Sequence, residues 1–268
     1  MKKILAGGLA LAAALLASAA HAQPAKPTVV LVHGAFADSS SWNGVATILQ
    51  RDGYTVVAAP NPLRGVRADA DVVVDVVKSI NGPVVLVGHS YGGLVISEAA
   101  EGLSNVKGLV YVAAFAPDAG ETALGLTGKF PGSTLGSALA PPVKLMAGGN
   151  DLYILQARFH DQFAADVPAA QAQLMAAGQR PVAEAALSEV STQPAWKTVP
   201  SWFIYGDMDK NIPPVAMGFM AERAKSRQTV VVKGASHVVM VSHAPEVAGL
   251  MSGPPPSSEV AARASARA

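Results

Sequence analysis

The chain contains no cysteine among its 268 residues. Disulfide bonds, thiolate nucleophiles, iron–sulfur clusters and cysteine-ligated zinc are therefore excluded. Charge is also scarce, since only 15% of the residues are charged and the formal net charge is +1. A chain this close to neutral lacks the basic surface for binding nucleic acid or an anionic membrane, and neither is expected as a partner. Half of the residues are hydrophobic, which excludes a disordered chain and suffices for one large core.

The first 22 residues have the pattern of a secretory signal peptide, with Lys2 and Lys3, an apolar stretch over 4–17, and small residues at Ala20 and Ala22. We expect cleavage after Ala22. A retained membrane anchor is the weaker alternative, because the stretch is rich in alanine and short for a bilayer crossing. Without the leader, the 20 basic residues become 18 against 19 acidic ones, and the net charge is −1. The mature protein is predicted to be periplasmic or secreted, without stable membrane association.

Six short apolar runs, most of them rich in valine, alternate with helical patterns along the body of the chain. Most are continuous rather than alternating, as in parallel strands that are buried on both faces. We therefore predict a doubly wound α/β fold with a six-stranded, mainly parallel sheet and no N-terminal hairpin. The predicted strands cover 28–32, 54–58, 84–87, 106–112, 202–205 and 229–232, and the predicted helices cover 42–52, 68–80, 92–102, 216–224 and 245–251.

One interval interrupts this alternation. Residues 117–199 contain no convincing strand, and the stretch over 152–191 is rich in Ala, Gln and Leu. Such an interval is too long for a plain loop. We predict a helical cap inserted into a core of 23–116 and 200–252, with Pro168 and Pro181 breaking the cap into two to four helices. The composition of 253–268, which begins with Gly253 and three prolines, predicts a disordered tail.

The segment around Ser90 carries the first chemical signal. Gly88, Ser90 and Gly92 form a Gly-x-Ser-x-Gly pattern directly after an apolar strand and directly before a helical pattern. Glycines on both sides allow the strand and the helix to approach each other around a sharp turn. The hydroxyl then projects above the sheet, and the helix N-terminus favours developing negative charge. Ser90 is the candidate nucleophile.

A serine hydroxyl needs a base to remove its proton, and a histidine later in the chain can supply it. His237 lies just past the last predicted strand, which is where such a base belongs in this kind of fold. The other histidines have structural explanations: a place in the leader, in the two turn motifs, on a solvated cap helix, and at a helix entry. They are His21, His33, His89, His160 and His243.

The base in turn needs a carboxylate that fixes its tautomer. Two candidates, Asp207 and Asp209, follow the penultimate strand. Spacing from the strand end favours Asp209, and Asp207 is then a solvated turn residue.

A tetrahedral oxyanion needs two N–H donors that are already in position. Tyr91, the residue after the nucleophile, is expected to supply one. The second is expected from the loop after the first strand, where Gly34 allows a sharp turn and aims the N–H of Ala35 inward. Phe36 is the weaker alternative.

By these residues the chain resembles the α/β-hydrolase superfamily over 27–249, and within it the small esterases related to plant methylesterases and hydroxynitrile lyases. The family pattern Gly-x-x-Asp-x-x-Ile-Pro falls on Asp209, and the family's oxyanion donors fall on Ala35 and Tyr91. The segments that carry the resemblance are Val30-Leu-Val-His-Gly-Ala, Gly88-His-Ser-Tyr-Gly-Gly, Val112-Ala-Ala-Phe-Ala-Pro-Asp, Gly206-Asp-Met-Asp-Lys-Asn-Ile-Pro and Lys233-Gly-Ala-Ser-His.

Two departures from the lyase members bear on the reaction. Those members carry Thr where this chain has Gly34, and Lys where it has Val238. The resemblance therefore implies ester hydrolysis rather than cyanohydrin cleavage. It also implies that no cofactor is needed, and the sequence contains no phosphate loop, paired metal-ligand motif or Gly-x-Gly-x-x-Gly.

The sequence predicts an exported, cofactor-independent serine carboxylesterase that acts on small, apolar ester substrates through an acyl-enzyme. A lactone or amide hydrolase, or a perhydrolase, on the same residues is the alternative. A hydroxynitrile-lyase-like enzyme and a ligand-binding protein without activity are weaker ones. Five apolar cap residues are candidates either to line the pocket or to pack inside the cap: Leu152, Tyr153, Leu155, Phe159 and Phe163. Oligomeric state has no signal in the sequence.

Overall fold

The computed structural model describes residues 26–252. The predicted leader, its cleavage site and the predicted tail lie outside this range. The strands of the described chain are β1 Thr28–Val32, β2 Val56–Ala59, β3 Val84–His89, β4 Val106–Val112, β5 Val143–Lys144, β6 Asn150–Leu152, β7 Val182–Ala183, β8 Ser201–Gly206 and β9 Thr229–Val232. Its α-helices are α1 Asn43–Arg51, α2 Val66–Lys78, α3 Gly92–Ala99, α4 Ala123–Gly128, α5 Leu135–Ala138, α6 Gln156–Phe163, α7 Ala169–Gly178, α8 Glu184–Ser188, α9 Pro214–Arg223, α10 Val239–Ser242 and α11 Ala244–Ser252.

Six strands form one parallel sheet in the order β2-β1-β3-β4-β8-β9. The predicted fold class is confirmed, and the predicted strand limits are correct within two residues. The chain runs from β1 outward to β2 and then returns past β1 to β3 and β4. Because such crossovers are right-handed, this change of direction places α1 on one face of the sheet and α2 and α3 on the other. Accordingly α1 packs against α11, and α2 packs against α3.

Helix α2 illustrates why these segments fold as they do. Val66, Ala70, Val73 and Val77 are buried, and their spacing of three or four residues puts them on one face of the helix. One polar residue, Asp69, is buried with them and is fully shielded from solvent. A lone carboxylate on an apolar face needs polar partners, and these lie at the candidate site described below.

The chain between β4 and β8 contains five α-helices, a short 3-10 helix over Ala195–Lys197 and three very short strands. The prediction that this interval has no strand is wrong, because β5, β6 and β7 form a small antiparallel sheet. Each has only two or three residues, too few to show an alternating pattern. The helical prediction for 152–191 is correct for three helices, and Pro168 and Pro181 lie at the breaks between them.

Two polar contacts tie this inserted segment to the core. Arg64, which precedes α2, donates to Asp151 in β6 at 2.6 Å and to the carbonyl oxygen of Pro181 at 3.1 Å. Arg223 in α9 donates to both carboxylate oxygens of Glu121. Within the described residues, no helix is long and apolar enough to span a bilayer.

Lys225 allows a test of one local feature of the fold. It follows α9 with a φ of 49°, in the left-handed region, while the N–H of Ser226 donates to the carbonyl oxygen of Ala221. A side chain in this conformation is strained, and glycine is not. We expect Lys225→Gly to raise the free energy of unfolding by about 0.5–1 kcal/mol in urea denaturation.

Lys225→Ala is the matched control, because it removes the same charged side chain and keeps the Cβ. It is expected to leave the free energy of unfolding close to that of the original chain. Equal stabilisation by both substitutions would show that the charge, rather than the backbone conformation, is responsible.

Candidate active site

Ser90 lies on the turn between β3 and α3, with a φ of 53°. This left-handed backbone conformation is strained for a residue with a Cβ, and such strain is concentrated at functional sites. The neighbouring Gly92 permits the turn, because a Cβ there would lie 2.5 Å from the carbonyl oxygen of Val32. The N–H of Ser90 donates to Val112 at 3.3 Å, and its carbonyl oxygen accepts from Phe115 at 3.2 Å. The turn is thereby fixed against the end of β4.

His237 lies on the loop between β9 and α10, and its imidazole is almost fully buried. Its Nδ1–H donates to Oδ2 of Asp209 at 2.6 Å, and the two side chains are 1% and 0% exposed. The other oxygen, Oδ1 of Asp209, accepts from the backbone N–H groups of Asn211 at 2.7 Å and Ile212 at 3.0 Å. The carboxylate is therefore fixed on both oxygens, and it holds the imidazole with Nε2 free to exchange a proton.

The structure places Asp209, and not Asp207, against His237. Asp207 is exposed and accepts a hydrogen bond from the backbone N–H of Gly234 at 2.6 Å. It therefore fixes the turn at the start of the loop that carries His237. This is the turn role that the sequence suggested for it.

The backbone of the loop after β1 distinguishes the two candidate oxyanion donors. The N–H of Phe36 donates to the carbonyl oxygen of Arg180 at 3.0 Å and is occupied. The N–H groups of Ala35 and Tyr91 donate to no acceptor within residues 26–252, and both residues line the same cavity as Ser90. Ala35 and Tyr91 thus present two unpaired donors beside the candidate nucleophile.

Gly34 does not make the sharp backbone turn that the sequence suggested for it. The left-handed residue in this loop is Phe36, with a φ of 60°, and not Gly34. Gly34 is required for a different reason, because a Cβ at this position would lie 2.6 Å from the Cβ of Ser90. The loop and the serine turn can meet only when residue 34 has no side chain.

Two further histidines support this arrangement. His89 is fully buried, and its Nε2 lies 3.1 Å from the carbonyl oxygen of His237, to which it donates. Burial holds the pKa of His89 well below its usual range, so the ring is neutral. His33 is also buried, which lowers its pKa, and its Nδ1 contacts the carbonyl oxygen of Gly34 at 2.9 Å. Both have the hydrogen-bonded structural roles that the sequence suggested.

The remaining two histidines lie away from the cavity. His160 is half-buried, and its Nε2 contacts the carbonyl oxygen of Val167 at 2.9 Å. The expectation of a solvated helix face is therefore wrong, because the loop after α6 folds back over this ring. His243 lies between α10 and α11, as predicted, within 3.5 Å of Asp166 and Glu246.

Sequence analysis missed a buried polar network behind Tyr91. The Tyr91 hydroxyl donates to Oδ2 of Asp69 at 2.8 Å, and the N–H of Arg64 donates to both oxygens of Asp69 at 3.1 Å. Burial raises the pKa of Asp69 despite these donors, and it also raises the pKa of Tyr91. The Arg64 guanidinium continues the network to Asp151 in β6. The lone acid on the apolar face of α2 was the available signal.

A cavity of about 550 Å³ opens beside Ser90 and His237. Leu152 and Phe163 of the inserted segment line it, whereas Phe159 is buried elsewhere and Leu155 is 40% exposed. Tyr153 is not part of the lining. The walls are mostly apolar and also include Phe115, Ala123, Leu124, Leu135, Leu139, Pro141, Pro142, Leu187 and Ile212. No cluster of three His, Asp or Glu side chains within 26–252 is arranged to hold a metal ion.

A family model described as the alpha/beta hydrolase family matches residues 29–250. The chain belongs to this family. The predicted resemblance is thereby confirmed over nearly the whole described range.

Relatives and solved structures agree with this assignment. An alpha/beta hydrolase of Aspergillus novofumigatus, nvfD, is 26% identical over 77% of this chain and 87% of its own. A carbendazim hydrolyzing esterase of Nocardioides is 33% identical, over 37% of this chain and 47% of the esterase. The structure of polyneuridine aldehyde esterase superposes with a TM-score of 0.73 at 20% identity, over 85% of this chain and 98% of that one. The structural likeness establishes a shared fold.

The network behind Tyr91 yields a stability prediction. Tyr91→Phe removes the hydroxyl that donates to the buried Asp69 carboxylate and leaves the aromatic ring in place. Because a buried carboxylate that loses a donor is costly, we expect the free energy of unfolding to fall by about 1–3 kcal/mol in urea denaturation.

The double variant Tyr91→Phe/Asp69→Asn is the control for this prediction. It removes the charge as well as the hydroxyl, and a neutral amide costs less to bury than an underpaired carboxylate. The double variant is expected to be more stable than Tyr91→Phe alone. A double variant that is less stable would rule out the buried charge as the source of the loss.

Proposed function

We propose that this protein is a cofactor-independent serine carboxylesterase that hydrolyses small, apolar esters through an acyl-enzyme. One observation carries the proposal. Ser90, on a left-handed turn, shares a cavity with His237, whose Nδ1 is held by Asp209 at 2.6 Å, beside the unpaired N–H groups of Ala35 and Tyr91. A nucleophile, a base, an orienting acid and oxyanion donors are the parts that acyl transfer requires.

In the first half of the reaction, Oγ of Ser90 attacks the ester carbonyl carbon while Nε2 of His237 takes the hydroxyl proton. The carboxylate of Asp209 stabilises the imidazolium that forms. The negative charge on the former carbonyl oxygen is met by the N–H groups of Ala35 and Tyr91. When the carbon–oxygen bond to the alcohol breaks, His237 gives its proton to the leaving oxygen and is neutral again.

Water completes the cycle. His237 takes a proton from a water molecule as its oxygen attacks the acyl carbon, and the same two N–H groups stabilise the second oxyanion. Breaking the bond to Ser90 releases the acid, and His237 returns the proton to Oγ of the serine. The nucleophile, the base and both donors are supplied by the chain itself.

Two features of the site favour hydrolysis over cyanohydrin cleavage. A threonine at position 34 would bring its Cβ to 2.6 Å from the Cβ of Ser90, so this backbone does not accept the lyase residue. Val238, where the lyases carry lysine, is fully buried among apolar neighbours. A sequence relative, the carbendazim hydrolyzing esterase, and a structural neighbour, polyneuridine aldehyde esterase, are also esterases.

We also propose that the protein is exported, on the strength of the leader pattern over residues 1–22. The proposed chemistry can operate inside or outside the cytoplasm, since it uses no thiol and no cofactor. N-terminal sequencing of protein recovered from outside the cytoplasm tests this, and a chain that still begins at Met1 would contradict it.

Ser90→Ala tests the nucleophile. Because alanine has no oxygen to attack the carbonyl, turnover of p-nitrophenyl acetate is expected to fall by a factor on the order of 10⁴ or more. The thermal unfolding profile is expected to stay nearly unchanged, since only one hydroxyl is lost. Retention of the original rate would show that another residue is the nucleophile.

A panel of esters, lactones and amides, compared by kcat/KM in the original chain, then establishes which carbonyl compound is preferred.

Asp209→Asn and Asp207→Asn form a matched pair that tests the orienting acid. The amide at 209 has no negative charge to accept the Nδ1–H of His237 and to stabilise the imidazolium. We therefore expect kcat to fall by roughly 10³–10⁴-fold. The amide at 207 still offers an oxygen to the N–H of Gly234 and is expected to change kcat by less than about threefold. Equal losses in the two variants would contradict the assignment of Asp209.

A further inference from the structure

The charge around the candidate cavity is distributed unevenly. Among the described residues that line it, none is Lys or Arg, and Glu184 is the one carboxylate. Apart from His237, the remaining lining is apolar or uncharged. A substrate that enters this cavity therefore meets one negative charge and no positive one.

Glu184 is exceptional among the acidic residues of the inserted segment. Residues 117–199 contain seven Asp and Glu side chains. Six of them lie within 4 Å of a Lys, Arg or His nitrogen of the described chain: Asp118 by Lys197, Glu121 by Arg223, Asp151 by Arg64, Asp161 by Lys210, Asp166 by His243 and Glu189 by Arg67. Glu184 has no such partner within residues 26–252. Among the described residues, Glu184 is thus the acidic side chain of this segment without an ion-pair partner.

Glu184 is exposed to solvent, and one hydrogen bond orients its carboxylate. The residue is the first of α8, directly after β7, and β7 pairs with β6. From β6 the side-chain amide of Asn150 donates to Oε2 of Glu184 at 2.7 Å. Lys144 pairs with Asn150 across the β5–β6 hairpin, but its ammonium nitrogen is not within 4 Å of the Glu184 carboxylate. A neutral donor thus orients the carboxylate and leaves its charge available to a ligand.

We propose that Glu184 makes this site select its esters by charge, favouring substrates that carry a cationic ammonium group and disfavouring those with a second, free carboxylate. The inference rests on the proposed esterase function: it keeps the apolar chain next to the ester carbonyl and adds a preference for a cationic group at the far end of that chain. Glu184 is exposed to solvent, so water and salt partly screen its charge, but a cation that enters the cavity beside it is still attracted and an anion is still repelled. An anionic ester would also enter a cavity whose lining offers its carboxylate no cationic partner.

A matched set of p-nitrophenyl esters measures the effect of charge alone. The 4-(trimethylammonio)butanoate ester is cationic, and the 5,5-dimethylhexanoate ester has the same shape with carbon in place of nitrogen. The half-ester of glutaric acid is the anionic member. For each enzyme, kcat/KM for the cationic ester is divided by kcat/KM for its neutral isostere, and the anionic ester is treated in the same way. Differences in intrinsic reactivity cancel when these ratios are compared between variants.

Glu184→Gln keeps the size of the side chain and an oxygen for Asn150, and removes the charge. We expect the cationic-to-neutral ratio to fall by about twofold to fivefold and the anionic-to-neutral ratio to rise by a similar factor. Both changes should shrink as the salt concentration is raised, because salt screens an exposed charge. Glu222→Gln is the control, since Glu222 is an exposed residue of α9 outside the cavity lining and is expected to leave both ratios unchanged.

The outcomes separate this inference from the function on which it rests. If the original chain does not hydrolyse the neutral ester, the esterase proposal itself is overturned. Turnover of the neutral ester with ratios that differ by less than twofold between Glu184→Gln and the original chain would overturn the charge selection alone. Equal changes in Glu184→Gln and Glu222→Gln would also overturn it, because the effect would then come from net charge rather than from the cavity.

Discussion

The hydrogen bond between His237 and Asp209 joins two side chains that are almost completely removed from water. Such a pair is stable only when the carboxylate has further donors, and the backbone N–H groups of Asn211 and Ile212 supply them. The chain must therefore turn sharply after β8 and hold the β9–α10 loop against that turn. These two segments meet Ser90 because three parallel strands end at the same edge of the sheet. The catalytic geometry that we propose arises because the loops after these three strands meet at that edge.

The inserted segment takes part in the site as well as covering it. Its apolar side chains form much of the cavity wall, and Glu184 is the one carboxylate among the lining residues within 26–252. Strand β6 is also connected to the site by hydrogen bonds. Asp151 in β6 accepts from Arg64, and Asp69 accepts both from the N–H of Arg64 and from the hydroxyl of Tyr91. The residue that offers one of the two unpaired N–H groups is thus held from behind by a network that extends into the insertion. The same segment thus lines the cavity and supports Tyr91.

Local patterns in the sequence were sufficient for much of this structure. Continuous valine-rich runs predicted the sheet because parallel strands are buried on both faces. The glycines around Ser90 predicted the turn because the strand and the helix can approach each other there only without a Cβ. The spacing of Asp209 from its strand was enough to separate it from Asp207. The strands β5 to β7 were missed because two or three residues carry no periodicity. The partner of Asp69 could not be identified because it lies 22 residues away in the chain and is brought near only by folding.

The central claim is that the hydroxyl of Ser90 is the group activated by His237. Its most direct test is reaction of the protein with a fluorophosphonate, followed by peptide mass spectrometry to locate the label. The account predicts a single phosphonyl group, carried by Ser90. A label on any other residue, or no label on a preparation that hydrolyses esters, would contradict it.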